Sequence, residues 1–241
     1  MKNFRSLVSE TLKIYGEKKT IWSILLICLI CVLIISLICG FLLQGIRTAF
    51  KNVEPLQLSL WTYLLFGVLI IVGGLGGLFL TLLMIVSAMK PAQTQLKDIF
   101  REAWLKLGQG LGVFVLSMLF VALGTIFFIV PGIIIGVFLA FSLYVCVIEN
   151  KKGMDALKRS WNLVKGNWWQ VFGRLLLLGI IANVIILLLN AVPALTYGVL
   201  SLVFQLLFIP FNVIFNYLMY LDLKKISENK VQTEPITSTN G

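Results

Sequence analysis

Six long runs of apolar residues constrain this chain more than any other feature. About 20 residues of α-helix cross a bilayer, and most of the runs reach that length. Inside hydrocarbon the backbone polar groups must pair with one another, which a helix achieves within a single segment. The sequence therefore predicts an all-α integral membrane protein with six transmembrane helices. The predicted spans are residues 21–43, 60–89, 111–130, 133–148, 171–189 and 195–221.

The composition leaves little material in this chain for a soluble domain. Hydrophobic residues make up 59% of it and charged residues 12%, whereas about a quarter of the residues in soluble domains are charged. Almost all of the charge lies between the apolar runs. We therefore expect a single polytopic membrane domain over residues 1–221. The polar residues 222–241, rich in Ser and Thr, are expected to form a disordered cytoplasmic tail.

The basic residues indicate membrane topology rather than nucleic-acid binding, although the net charge is +10. Lys and Arg concentrate in the cytoplasmic loops of membrane proteins. If the six runs are spans, eighteen of the 20 basic residues lie on one side, and Arg47 and Lys51 lie on the other. This asymmetry predicts a multi-pass protein with both termini in the cytoplasm and no nucleic-acid partner.

Three polar segments on the predicted cytoplasmic side have the pattern of amphipathic helices. In the third segment, an apolar residue recurs at steps of three and four, at Met154, Leu157, Trp161, Val164 and Trp168, which places these residues on one helical face. Such a helix lies flat at a membrane surface, with its cations toward the headgroups. The three predicted interfacial helices are residues 2–16, 93–108 and 153–168.

The third segment has two interpretations that the sequence leaves open. In one, it only anchors the protein and sets its topology. In the other, its cations bind the phosphates of anionic lipids beside aromatic side chains suited to the membrane interface. The residues of this candidate lipid-binding site are Lys151, Lys152, Lys158, Arg159, Lys165, Trp168 and Trp169.

The second and third segments also resemble each other. Asp98 and Trp104 have the same separation as Asp155 and Trp161, and each segment leads through a glycine into an apolar run. The N-terminal segment fits this pattern more loosely. The spacing favours three repeats, each made of an interfacial helix followed by a transmembrane hairpin.

Groups that commonly carry out catalysis are scarce. The chain has no histidine, which removes the usual base at neutral pH and the usual metal ligand. The predicted spans have no Asp or Glu away from their ends, so carboxylate-based proteolysis and proton coupling lose their groups. Cys28 and Cys31 have the spacing of a redox pair, but all four cysteines fall in apolar runs, where we interpret them as packing residues. We expect no enzymatic activity, no cofactor and no metal site.

Amide side chains are the main polar groups of the last predicted hairpin. In membrane proteins such groups form hydrogen bonds between helices. Alternatively, they form a polar intramembrane seam that accepts a headgroup, a peptide or a small solute. The residues of this candidate seam are Asn183, Asn190, Gln205, Asn212 and Asn216.

The run from Pro131 to Leu178 combines several short motifs. It contains a Pro-Gly turn, Glu149 at the end of a span, Ala-Leu-x-x-Ser-Trp from Ala156 to Trp161, then Lys-Gly-x-Trp-Trp and Val-Phe-Gly. This pattern resembles the membrane domain found beside bacterial glycerophosphoryl diester phosphodiesterases, which also occurs alone as a multi-span protein. The resemblance implies a fold family and a bacterial cytoplasmic membrane. It implies no catalysis, because that chemistry belongs to a separate soluble barrel with catalytic histidines.

Two functions follow as expectations. The first is a non-enzymatic accessory or scaffold protein that acts at the lipid surface, where it contacts the bilayer and anionic lipids, or beside another membrane protein. The alternative is a transporter or permease component for a lipid-like or peptide substrate, in export or self-protection. A polar cavity between the fifth and sixth spans would favour the transporter, and a closed, dry bundle would favour the scaffold.

Overall fold

The structure is a computed structural model that describes residues 2–18, 21–26, 55–91, 93–190 and 197–233. These residues are mostly helical, and no strand occurs among them. The helices are α1 Phe4–Glu17, α2, described over residues 21–26, α3 Pro55–Met89, α4 Leu96–Phe127, α5 Ile129–Leu139, α6 Ser142–Glu149, α7 Gly153–Val164, α8 Trp168–Asn190 and α9 Tyr197–Thr233.

Five stretches of the described chain are long and apolar enough to cross a membrane, as the sequence predicts for an all-α membrane protein. Of the first predicted span, residues 21–43, only residues 21–26 are described, and they are helical. Arg47 and Lys51 also lie outside the described residues. The five stretches are Ile71–Met89, Leu96–Phe127, Ile129–Glu149, Trp168–Leu189 and Val203–Asn229.

The second predicted interfacial helix is not a separate element. Residues 93–108 and the predicted span 111–130 join in the single helix α4, which begins at Leu96 and ends at Phe127. Nothing in the sequence between them breaks a helix, because glycine weakens a helix without ending it. Gly110 also fits close to α3, since a Cβ atom there would lie 3.1 Å from Leu82.

The turn predicted at Pro131-Gly132 lies slightly earlier. The break between α4 and α5 falls at Phe128, whose backbone is extended, and α5 begins at Ile129. Proline is tolerated in the first turn of a helix because its missing N–H would have no partner there. Gly132 instead allows the two helices to touch, since a Cβ atom there would lie 2.2 Å from Oγ1 of Thr125.

The fourth predicted span, residues 133–148, is broken in its interior between α5 and α6. The backbone N–H of Phe141 donates a hydrogen bond to Oγ of Ser160 in α7 at 3.2 Å, and the same hydroxyl donates to the carbonyl of Phe138 at 2.7 Å. Oγ of Ser142 donates to the carbonyl of Leu139 at 2.7 Å. Hydroxyl groups therefore satisfy backbone polar groups that the broken helix leaves without intrahelical partners.

One face of α7 packs against protein. Ala156, Ser160 and Leu163 are buried on it, together with Leu157 and Val164 from the predicted membrane face. Met154 and Trp161, also from the predicted membrane face, are 44% and 39% exposed. This face packs against α4, α5, α6 and α9 and presents its small residues to them, and contact of the predicted face with the membrane stays a prediction.

The three segments share one register of burial. Each helix has a fully or almost fully buried residue three positions after its start and another four positions later. Leucine and threonine occupy these positions in α1, isoleucine and alanine in α4, and alanine and serine in α7. The three predicted repeats would give this agreement, and they stay a prediction. The pairs are Leu7 and Thr11, Ile99 and Ala103, and Ala156 and Ser160.

The predicted disordered tail begins too early. Helix α9 runs to Thr233, so residues 222–233 are helical, and residues 234–241 lie outside the described residues. Leu223 is buried and Asp222 pairs with Arg174 of α8, so tertiary contacts extend the helix beyond the apolar run.

Candidate functional site

Glu149 closes α6 and draws three other side chains together. Its carboxylate accepts a hydrogen bond from the hydroxyl of Tyr220 in α9 at 2.7 Å and from Nε of Arg159 in α7 at 3.2 Å. Nζ of Lys151 lies 3.7 Å from the same carboxylate. The next residue, Asn150, ends α6 with a φ of 55°. This cluster ties α6, α7 and α9 together around a carboxylate that is largely shielded from solvent and therefore needs partners.

A second cluster joins the beginning of the described chain to α8 and to the C-terminal half of α9. Asp222 accepts a hydrogen bond from the backbone N–H of Lys2 at 2.8 Å. The carboxylate of Asp222 lies 3.8 Å from Nη1 of Arg174, and Nη2 of Arg174 donates to the carbonyl of Lys2. The beginning of the described chain therefore lies beside Asp222 of α9.

A third group caps the end of α3. The ammonium of Lys18 donates to the carbonyls of Ser87, Ala88 and Lys90 at 2.7, 2.8 and 2.7 Å. A lysine placed at the C-terminus of a helix satisfies carbonyls that have no partner within the helix. Burial lowers the pKa of Lys18.

The third group is connected through α4 to α6, the helix that Glu149 ends. Lys90 pairs with Glu102 of α4 at 2.7 Å, and Lys106 of α4 donates to the carbonyl of Val147 in α6. The result is a layer of paired polar groups across one end of the helix bundle, which we call the polar belt. It consists of Lys2, Lys18, Lys90, Glu102, Lys106, Glu149, Arg159, Arg174, Tyr220 and Asp222.

The structure divides the five cations of the candidate lipid-binding site into two groups. Arg159 and Lys151 pair with Glu149, so their charge is partly neutralised inside the protein. The other three side chains are exposed and have no ion pair within the part of the chain that the structure describes. These free cations are Lys152, Lys158 and Lys165.

A cavity of about 460 Å³ opens beside Lys158 and Asn162, two exposed side chains of α7. Its walls from α4 and α5 are apolar, and they include Phe120 and Leu139. Its polar side chains, Lys158 and Asn162, both come from α7. The Trp161 ring lines it and stacks on Phe138, with ring centres 3.9 Å apart. We call this cavity the α7 groove.

The two tryptophans of the candidate site lie apart from this groove. Trp169 is 77% exposed. The ring of Trp168 stacks on Phe172 at 5.0 Å, and its Nε1 lies 3.5 Å from the carbonyl of Ile134. Both line a second cavity, between α5 and α8, whose described walls are apolar. The structure therefore separates these aromatic residues from Lys158, which lines the first cavity.

Three amides of the candidate seam take part in hydrogen bonds within their own helices. Nδ2 of Asn183 donates to the carbonyl of Gly179 in its own helix at 2.8 Å. Asn216 donates to Oδ1 of Asn212, one turn earlier in α9, at 2.7 Å. Gln205 is exposed, and the side chain of Asn190 lies outside the described residues.

Sequence reasoning missed several residues that position these elements. Ser160 and Tyr220 carry hydrogen bonds between helices, and Gly132 permits the contact of α4 with α5. A serine on the buried side of an amphipathic pattern was the available signal for Ser160. Tyr220 gave no such signal, because nothing local in the sequence relates it to Glu149.

Comparison with known proteins yields one match. The sequence model of a family described as "Domain of unknown function (DUF7847)" matches residues 20–221. No curated protein and no solved structure matches the chain. The matched region contains α2 to α8 and most of α9, and with them all the free cations and the α7 groove.

Proposed function

The chain belongs to the DUF7847 family of domains of unknown function, and from its structure we propose that it is a non-enzymatic integral membrane protein that binds anionic lipid at its cytoplasmic face. In this role it is an accessory or scaffold protein at the lipid surface or beside another membrane protein. The free cations Lys152, Lys158 and Lys165 carry the proposal, because they are exposed and none of them forms an ion pair with a described carboxylate.

We further propose six spans in a bacterial cytoplasmic membrane, with the polar belt and both termini in the cytoplasm. The contact between Lys2 and Asp222 supports an even number of spans, because an even number returns the chain to the side on which it began. The concentration of Lys and Arg at the polar belt supports the cytoplasmic assignment. In this arrangement the three predicted interfacial segments lie at the cytoplasmic side of the membrane.

A scaffold role agrees with the way α7 is held. Ser160 connects α7 to the break between α5 and α6, and Arg159 connects it to Glu149. These attachments fix the backbone of α7 against the bundle, so its orientation does not depend on the bilayer. The exposed cations of the helix therefore stay on one side of the protein, where they favour anionic headgroups.

The resemblance to the membrane domain beside glycerophosphoryl diester phosphodiesterases stays a proposal. Its motifs have structural roles in this chain. Gly132 touches α4, Ser160 stabilises the break between α5 and α6, and Gly166, with a φ of 91°, ends the turn after α7. Motifs with such roles identify an architecture, so they support a shared fold more than a shared activity.

The transporter stays the alternative. Three cavities among the described residues lie between α4, α5 and α7, between α2 and α9, and between α5 and α8, and their walls are largely apolar. A path for a polar solute would need polar groups aimed into a shared space. Asn183 and Asn216 instead bond to acceptors in their own helices.

Native mass spectrometry of the full chain with equal amounts of phosphatidylglycerol and phosphatidylcholine tests the proposal. The lipid-binding variant is Lys152→Gln/Lys158→Gln/Lys165→Gln. We expect wild type to retain phosphatidylglycerol selectively and the variant to lose this selectivity. Each basic residue near an anionic surface contributes about 1 kcal/mol, so the preference is expected to fall by up to roughly a hundredfold.

The matched control is Arg5→Gln/Lys97→Gln/Arg101→Gln, which removes the same charge from exposed positions of α1 and α4. We expect this control to keep most of the selectivity. If the two triple variants lose it equally, the cations of α7 act only through total charge, and the proposal of a defined site is wrong.

A further inference from the structure

The α7 groove combines two features that suit the two parts of a single ligand. Its apolar walls come from helices long and apolar enough to cross a membrane, and Phe120 and Leu139 belong to these helices. Its polar side chains, Lys158 and Asn162, lie one helical turn apart on α7. A ligand that fills the groove therefore needs a hydrocarbon chain at one end and an anionic group at the other.

We propose that the α7 groove binds one acyl chain of an anionic glycerophospholipid, with its phosphate against Lys158 and Asn162. This inference rests on the proposed function, because it uses one of the same cations, and it adds a defined hydrocarbon site. The volume of about 460 Å³ lies within the range of about 300–1,000 Å³ that is typical of small-ligand sites. That size accommodates part of a lipid rather than a folded partner.

The charge at the groove selects the headgroup. Lys158 has no ion pair within the described residues, so its ammonium is available to a phosphate. Lys165, the C-cap residue of α7, is exposed seven residues later and adds a second positive charge to the same segment. A zwitterionic lipid would fill the groove equally well but would gain less from these two cations.

The groove keeps its shape without a ligand because contacts with α5 fix the α7 side chain that forms one of its walls. The Trp161 ring stacks on Phe138 with an interplanar angle of 15°. The neighbouring Ser160 is hydrogen-bonded to the carbonyl of that same Phe138. A wall fixed in this way lowers the cost of ordering the site when an acyl chain enters it.

The groove also opens where lipid can enter. Two apolar side chains of its lining, Met154 and Trp161, are 44% and 39% exposed. An acyl chain that enters the groove therefore meets apolar side chains at its opening.

Photocrosslinking in vesicles tests the site. The full chain is reconstituted in phosphatidylcholine that contains phosphatidylglycerol with a diazirine in its acyl chain, and adducts are mapped by mass spectrometry. We expect wild-type adducts to concentrate on peptides that contain Phe120, Leu139 and Met154, at several times the yield on the exposed face of α8. Phosphatidylcholine with the same diazirine chain should give at most a third of that yield at the groove.

Met154→Trp fills the groove without changing its charge, and Ile180→Trp adds the same ring to the exposed face of α8. We expect Met154→Trp to lower the groove adducts at least fivefold and Ile180→Trp to leave them unchanged. An even spread of adducts over the exposed helices in wild type would overturn the inference. Unchanged groove adducts in Met154→Trp would do the same.

The design separates this inference from the proposed function. If Met154→Trp leaves the groove adducts unchanged while the triple lysine variant loses its selectivity for phosphatidylglycerol, the groove is not the site and surface binding stands. If Met154→Trp removes the adducts of both lipids equally and the triple lysine variant behaves as wild type, the groove binds an acyl chain but selection of the anionic headgroup is wrong.

Discussion

The two ends of the helix bundle both contain apolar side chains, but these side chains have different surroundings. In α3, residues 82–88 are buried, whereas residues 71–77 of the same helix are exposed. In α4, Val113 is fully buried and Ile126 is 78% exposed. Protein surrounds the apolar side chains near the polar belt, and in the proposed membrane lipid surrounds those at the far end.

This difference shows that the hydrophobicity of a residue in a membrane protein does not indicate whether it packs against protein or faces lipid. Lipid tails are as apolar as leucine, so moving a leucine from lipid into protein gains little from the hydrophobic effect. The end of the bundle at the polar belt differs from the far end in its hydrogen bonds and ion pairs and in the close packing of its side chains. Substitutions at the belt end should therefore be costly, and substitutions at the far end should be mild unless the backbones touch.

The largest expected effect is at the centre of the polar belt. Glu149→Ala should lower the free energy of unfolding by about 3–5 kcal/mol, because it leaves Arg159 and Tyr220 shielded from solvent without their partner. Titration of SDS into mixed micelles measures the change. Glu10→Ala removes the carboxylate of an exposed ion pair with Lys2 and should cost under about 1 kcal/mol. Equal losses of unfolding free energy in the two variants would show that burial of the ion pair does not determine the cost of removing its carboxylate.

A smaller effect is expected at the far end of the bundle, where the backbones of α4 and α5 touch. Gly132→Ala should cost about 1–3 kcal/mol, because its Cβ would lie within 3.0 Å of the backbone of Thr125 and the two helices must separate. Gly136→Ala, one turn later in α5, meets only Val121 at 3.9 Å and serves as the control. The same unfolding titration compares them. A Gly132→Ala protein as stable as the control would mean that α4 and α5 do not touch as described.

The smallest effect concerns the break within the fourth span. Ser160→Ala should cost about 1 kcal/mol, because the N–H of Phe141 and the carbonyl of Phe138 lose a shared hydroxyl. Ser9→Ala removes an exposed hydroxyl bonded only within α1 and should change stability by less. Faster hydrogen exchange at Phe141 in Ser160→Ala would locate the effect, and unchanged exchange there would contradict the assigned role.

Local patterns predicted the elements better than the contacts between them. The helical, membrane-capable class follows from the apolar runs, and the beginning of α7 follows from the amphipathic segment. The register of α7 was harder, because Trp161 and Met154 are more hydrophobic than Ala156 and Ser160, yet the smaller pair faces the protein. Hydrophobic periodicity ranks side chains by their aversion to water, whereas close helix packing favours small ones.

The candidate site shows the same division. The sequence placed five cations on one segment but gave no means to tell which were already paired. Arg159 pairs with a glutamate ten residues earlier in the chain, and that glutamate also bonds to a tyrosine 71 residues away. Partners at such separations depend on how the helices are arranged, which no local spacing encodes.

The sequence by itself determined the helical class, the apolar stretches suited to a membrane and the clustering of positive charge, because each of these depends on residues close together in the chain. The tertiary structure decided which face of α7 is buried, which cations stay free and where a groove opens beside Lys158. Those features arise where α4, α5, α6, α7 and α9 meet, and their energies depend on distances between residues that are far apart in the sequence.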